Sequence, residues 1–372
     1  MPRPYSMCSE EECRDRQSAM EVSEWEATLD TFHKSPKERI IDPSLAVSKY
    51  RRSAAGTIQR PPRRVVQLIE AWEHLRGIFI HQKLHATQPP RALAPTVAFL
   101  DDRIRAIQVD LVVSQKASKV VQLQLVRYQI ITLYLLSEVS RTIYEPKFAK
   151  LALITALVAY WNNDTDSSVQ ANINYQDHQH DDEILCYTTL CHVAATLTDS
   201  SWVEGDSTLA TYRQYASKDR IYPKFTAALQ IAAAVHVQHY YVALKLLHET
   251  MSSALCRLCM APCLNRLRWM CLSHYNKAFM KCEKVLPEDV AQLLFLPNAT
   301  VALDFAMRAG LPVDEHGRIV FKSAPLQEFK SYGVNRPVDD CFCWGPMEEC
   351  RIDSDQVHVP SHKLLLQLIV QG

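Results

Sequence analysis

Apolar positions in this chain recur mostly at three- and four-residue spacing, the signature of helices that bury one face. The clearest case is Phe99 to Leu111, FLDDRIRAIQVDL, where Leu100, Ile104, Ile107 and Leu111 form one stripe. On its other side Asp101, Asp102 and Arg105 stand three and four apart, so one arginine reaches two carboxylates. Taken alone, that face reads as a solvated ion-pair ladder. Upstream, Pro61 and Pro62 precede a helix predicted over 65–84, with Leu68, Ile69, Trp72, Leu75 and Ile78-Phe79 on its buried side. Downstream, helical spacing returns over 120–139, 147–161, 182–197, 223–235, 239–255 and 262–282. Helices of this kind joined by short connections stack into a solenoid, each pair burying its face on the next.

The pattern changes at both ends. Residues 286–296 and 297–310 read as two short helices, after which Val313 and Ile319-Val320-Phe321 flank the turn Asp314-Glu315-His316-Gly317. Helix, turn, helix and hairpin is the order of a winged helix. The predicted architecture is therefore all-α: a helical-repeat, TPR-like solenoid capped by a C-terminal winged helix. Four segments follow. Residues 1–64 form an extended N-terminal arm that drapes over the helices after it, with one helix over 20–32 carrying Trp25, Leu29 and Phe32. Residues 65–285 form the solenoid, 286–322 the winged helix and 323–372 a loop-rich tail, whose apolar stretch at 357–370 packs back or meets a partner. Residues 162–181, polar and almost free of core residues, read as a mobile surface loop.

Charge adds a division that hydropathy does not show. The formal net charge is zero, which excludes a uniformly basic nucleic-acid binder. Residues 1–33 nevertheless carry eight acidic against three basic groups, and residues 34–64 nine basic against two acidic. The two halves of the arm either neutralise one another or leave a basic docking surface. No stretch of about 20 uncharged apolar residues is present to span a bilayer, and the chain reads as soluble and intracellular, with cysteines set in apolar helical patterns as in a reducing compartment.

Candidate chemistry is sparse. Only eight glycines occur, none between Gly77 and Gly205 or between Gly205 and Gly310, so phosphate loops, dinucleotide fingerprints and nucleophile elbows are absent. No catalytic residue, cofactor or small-molecule substrate is expected. Cys256, Cys259, Cys263 and Cys271 have a spacing worth testing for zinc but lack knuckle turns; Cys341, Cys343 and Cys350 with His358 or His362 form a second weak set. His178 and His180 among aspartates fall in the polar loop, and no metal site is expected from them.

Three blocks remain: Met7-Cys8-Ser9-Glu10-Glu11-Glu12; Lys49-Tyr50-Arg51-Arg52-Ser53-Ala54-Ala55-Gly56, followed by the Pro-Arg run at Arg60, Arg63 and Arg64; and Phe99 with Asp102, Arg103, Arg105, Ala106, Ile107, Asp110 and Leu111. In this order they resemble the Sac-three/GANP family. Departures are Ser9 for the family's proline, Gln108 and Val109 for an Arg-Gln pair, and Arg127-Tyr128-Gln129-Ile130 for its R-F-H-I pattern. The resemblance implies a PCI domain, a helical array capped by a winged helix, acting as a non-enzymatic scaffold of the nuclear transcription-and-export machinery. It implies a second PCI-domain protein and a small acidic subunit as partners, with RNA read by shape. A centrosomal or cytoplasmic mitotic scaffold, or a subunit of another PCI assembly, remains the alternative. Candidate nucleic-acid or partner contacts are Lys49, Arg51, Arg52, Arg60, Arg63, Arg64, Arg308, Arg318 and Lys322; the remaining residues of the blocks brace the first turns of the array.

Overall fold

The computed structural model describes residues 7–50, 63–81, 93–114, 119–135, 152–158, 160, 175–198, 222–251, 253–322 and 325–327. Arg51, Arg52, Ser53, Ala54, Ala55, Gly56 and Arg60, and the tail with Cys341, Cys343, Cys350, His358, His362 and its apolar stretch, lie outside the described residues. The chain forms two compact units that divide near residue 172.

In the first unit, α1 (Glu10–Ser18) starts where the Ser9 hydroxyl accepts the Glu12 amide, and Glu10, Glu11 and Glu12 place negative charge at its positive end. It stops at Met20, whose backbone is left-handed at φ 58°. The helix predicted over 20–32 therefore does not form. That segment folds as successive turns, tied to the rest of the arm by Thr28 N to Ile40 O, Asp42 N to Glu26 O and an Ala27–Ile41 bridge. The signal that decides the helix is the Ser-Glu-Glu-Glu cap, not the Trp25 spacing. Helices α2 (Val65–His81), α3 (Leu93–Ser114) and α4 (Lys119–Leu135) follow. The α3 stripe of Leu100, Ile104, Ile107 and Leu111 is buried as expected. Tyr128 of α4 meets Trp72 and Phe79 of α2 edge-on, and Trp72 Nε1 donates to Gln124 Oε1 at 2.7 Å.

The second unit contains α5 (Tyr175–Thr198), α6 (Pro223–His236), α7 (Tyr240–Thr250) and α8 (Ala254–Ala278). Two boundaries differ from the sequence expectation. First, α5 begins at Tyr175, inside the stretch that reads as a loop. Its Asp181 and Asp182 are buried, and Asp182 accepts the amides of Lys224 and Phe225, capping α6 from a neighbouring helix. Second, α8 runs unbroken through Pro262, where the spacing predicts two helices. A proline there removes one backbone hydrogen bond. Buried Leu258, Cys259, Met260, Cys263 and Leu264 hold the helix together on either side. Strand β1 (Lys284–Val285), α9 (Pro287–Leu294), α10 (Ala299–Arg308) and β2 (Ile319–Val320) complete the unit. Among the described residues the result is an all-α, helical-repeat fold with one small ribbon.

Candidate functional site

The α3 block and the arm form one construction around a single carboxylate. Glu26 has no solvent exposure. It accepts from Arg103 Nε at 3.0 Å and Nη2 at 2.7 Å, from Val47 N at 3.0 Å, and from both terminal nitrogens of Arg16. Arg103 also pairs with Asp102, and Arg16 Nη1 donates to Val47 O at 3.2 Å. Two guanidinium groups thus face two carboxylates, so the cluster is close to neutral, the condition under which charges tolerate burial. Burial pushes the Glu26 carboxyl up, but Arg103 and Arg16 outweigh it and hold it below its ordinary value.

The block's other polar members also reach the arm. Asp102 accepts the Tyr50 amide at 3.4 Å, the Arg105 guanidinium lies 4.2 Å over the Tyr50 ring, and Phe99 stacks on Trp25 at 6.0 Å. Arg63 gives Nε to Asp110 at 2.6 Å and Nη1 to Met7 O at 3.1 Å. Lys49 donates its amide to Glu12 and its ammonium to Glu21. Ala106, Ile107 and Leu111 face the core. The arm lies against Asp102, Arg103 and Arg105, although Arg105 itself stays exposed, so part of this face is an interface within the chain. Sequence reasoning missed Arg16 and Glu26, the two buried arm residues. The one available signal was Glu26 standing between apolar Trp25 and Ala27. Of the arm's candidate contacts among the described residues, Arg64 is exposed, and Arg63 and Lys49 are engaged within the chain.

At the other end of the chain, β1 and β2 pair antiparallel, Lys284 opposite Val320 and Val285 opposite Ile319, with a further bridge from Val313 to Ile319. The turn between Val313 and Ile319 bends at Gly317, φ 76°. The Asp314 carboxylate accepts the amides of His316 and Arg318 and pairs with Arg318 and Lys284. These bonds, the Arg318 amide first, hold Asp314 well below the usual carboxylate range. Arg308 pairs with Asp304 one turn back on α10, and the Lys322 amide donates to Asn276 at 2.6 Å. Helices α9 and α10 meet at 85°. Arg268 closes the end of α9 by donating to the carbonyls of Leu294 and Phe295. A groove of about 490 Å³ lies beside them, floored by Leu244, Leu247, Leu264 and Phe295 and edged by Glu288 and Asn298.

Among the described residues no three His, Cys, Asp or Glu side chains group as a metal site, and no single helix is long and apolar enough to cross a membrane. The four helical cysteines considered for zinc are buried along one continuous helix, a backbone that does not turn them toward one point.

The SAC3/GANP family model matches residues 7–315, and the chain belongs to that family, one associated with scaffolding in messenger-RNA export rather than with enzymatic chemistry. Comparison with curated proteins finds no match.

Proposed function

We propose that this chain is a non-enzymatic scaffold of a nuclear, transcription-coupled messenger-RNA export complex. It holds a second PCI-domain protein and a small acidic subunit, and it contributes to a surface that contacts RNA. The observation that carries this reading is the family match over residues 7–315. The order β1, α9, α10, turn, β2 supports treating the end of the second unit as a winged helix, and that module is the proposed meeting place with the partner. Only one arginine, Arg308, lies on α10, and it already pairs with Asp304. RNA contact by shape and backbone charge therefore suits the module better than base-specific reading of duplex DNA. Arg51, Arg52, Arg60 and Arg64 in the arm, with Lys322 at the ribbon, are the proposed phosphate contacts; Lys49, Arg63, Arg308 and Arg318 serve their internal pairs first.

The test is affinity purification of the tagged chain from nuclear and cytoplasmic extracts, with and without nuclease, read by mass spectrometry. Recovery of a second PCI protein with a small acidic subunit, resistant to nuclease, supports the export scaffold. Recovery of centrosomal or spindle proteins without that pair replaces it with a mitotic scaffold.

A further inference from the structure

Inside the second unit one buried thiol, that of Cys186, lies against sulfur atoms from two other elements. Cys186 Sγ of α5 lies 3.5 Å from Cys256 Sγ of α8 and 4.0 Å from Sδ of Met251, the residue that ends α7. All three side chains are at most 2% exposed. Buried thiols ordinarily pack as small hydrophobes, but ligand geometry fits here as well. Three sulfurs each about 2.3 Å from one ion in a trigonal plane stand about 4 Å apart, close to both spacings. Two thiols and a thioether, with no oxygen or imidazole, form a soft set that selects a monovalent copper ion over zinc, which asks for a fourth ligand.

We infer that Cys186, Cys256 and Met251 form a buried three-coordinate site for Cu(I) that fastens α5, the end of α7 and the start of α8 to one another.

Two surrounding groups are disposed for it. The Ser253 hydroxyl, three residues before Cys256, is buried without a well-formed hydrogen bond. The Lys224 ammonium is near both cysteines and offsets the negative charge that Asp182 and Glu183 add. Binding is a proton exchange without electron transfer: two S–H bonds break, two protons leave to solvent, and two thiolate–copper bonds form. The product carries one net negative charge, formed beside the Lys224–Glu183 ion pair. The backbone of Met251 is itself fixed, its carbonyl accepting Arg257 Nε at 2.5 Å.

The test uses the full chain, reduced and free of oxygen, with copper supplied as its complex with reduced glutathione and challenged by a chromogenic Cu(I) chelator. One copper per chain is expected to survive the challenge, with an X-ray absorption spectrum showing a sulfur-only shell. Cys186→Ser and Cys256→Ser should each lose the retained ion, Met251→Leu should hold it more weakly, and Cys259→Ser and Cys271→Ser should keep it. Circular dichroism of each variant separates loss of the site from loss of the fold. If a serine variant is unfolded, Met251→Leu in the folded chain decides: affinity equal to the parent overturns the site. A nitrogen or oxygen shell, or retention unaffected by Cys186→Ser and Cys256→Ser, reduces the result to an adventitious ion only.

Discussion

Arg103 and Glu26 lie 77 residues apart in sequence and meet through two parallel hydrogen bonds inside the protein. This fork-to-carboxylate pairing closes a long loop and ties the arm to α3. Bidentate pairs of this kind are stronger and more specific than single hydrogen bonds. Removing the carboxylate leaves two buried guanidinium groups with Asp102, which pairs with Arg103 alone, as the remaining counter-charge. Glu26→Gln is therefore expected to destabilise the first unit by about 3–5 kcal/mol, seen as a lower urea midpoint. A loss below about 1 kcal/mol would show that the arm is not held through this residue.

Acid should undo the same construction in two steps. Burial pushes the His74 imidazole down, partly offset by Glu26, a hydrogen bond with the Leu45 backbone and Asp42. The folded state then refuses a proton that the unfolded chain accepts, so stability is lost as pH falls below about 6.5. The Glu26 carboxyl is also held below its ordinary value, so its contribution is present above about pH 4.3 and disappears below it. Urea midpoints measured from pH 7.5 to 3.5 should show both declines. His74→Gln should flatten only the upper one.

Much of the helical array is legible in the sequence because its signal is local. The stripe Leu100, Ile104, Ile107, Leu111 and the face around Trp72 fix α3 and α2 without reference to anything distant. Sequence expectation fails where a distant partner decides. Asp181 looks like loop material and Asp182 like a plain helix start until Asp182 caps α6 across 42 residues of sequence. Pro262 looks like a break until the packing on both sides of it holds α8 together. Arg16 is indistinguishable from a surface charge and Glu26 is marked only by its apolar neighbours Trp25 and Ala27, since nothing near them in sequence announces the Arg103 that completes them. The charged face of α3 stands out by its spacing, but its purpose is set by the arm that lies on it.

Polar atoms without partners offer a change in the opposite direction. Both amide atoms of Gln122 and Nε2 of Gln108 are buried and make no hydrogen bond, and the two residues face one another across a small gap bounded by Leu111, Leu125 and Ala156. An unsatisfied buried donor or acceptor costs about 1–3 kcal/mol. Gln122→Leu is expected to raise the stability of the first unit by about 1 kcal/mol, with the urea slope unchanged. A lower midpoint would mean that this amide is satisfied in solution.

Arg63 and Arg64 are neighbours in sequence with different roles, and their variants should separate bracing from binding. Arg63 is mostly buried, its Nε bonded to Asp110 and its Nη1 to the Met7 carbonyl. Arg64 is exposed. A charge-assisted hydrogen bond in a partly buried setting contributes about 1.5–3 kcal/mol, so Arg63→Ala should destabilise the first unit by that amount, read from its urea midpoint. Arg64→Ala should stay within about 0.5 kcal/mol of the parent. If the arm meets RNA phosphates, Arg64→Glu combined with Arg51→Glu and Arg52→Glu should weaken RNA binding by the reconstituted complex. It should also reduce the slope of log affinity against log salt by roughly 0.7 for each single-strand phosphate that is no longer neutralised. An unchanged slope in the triple variant, with the parent's stability retained, would remove these arginines from the interface and leave the basic half of the arm a purely structural role.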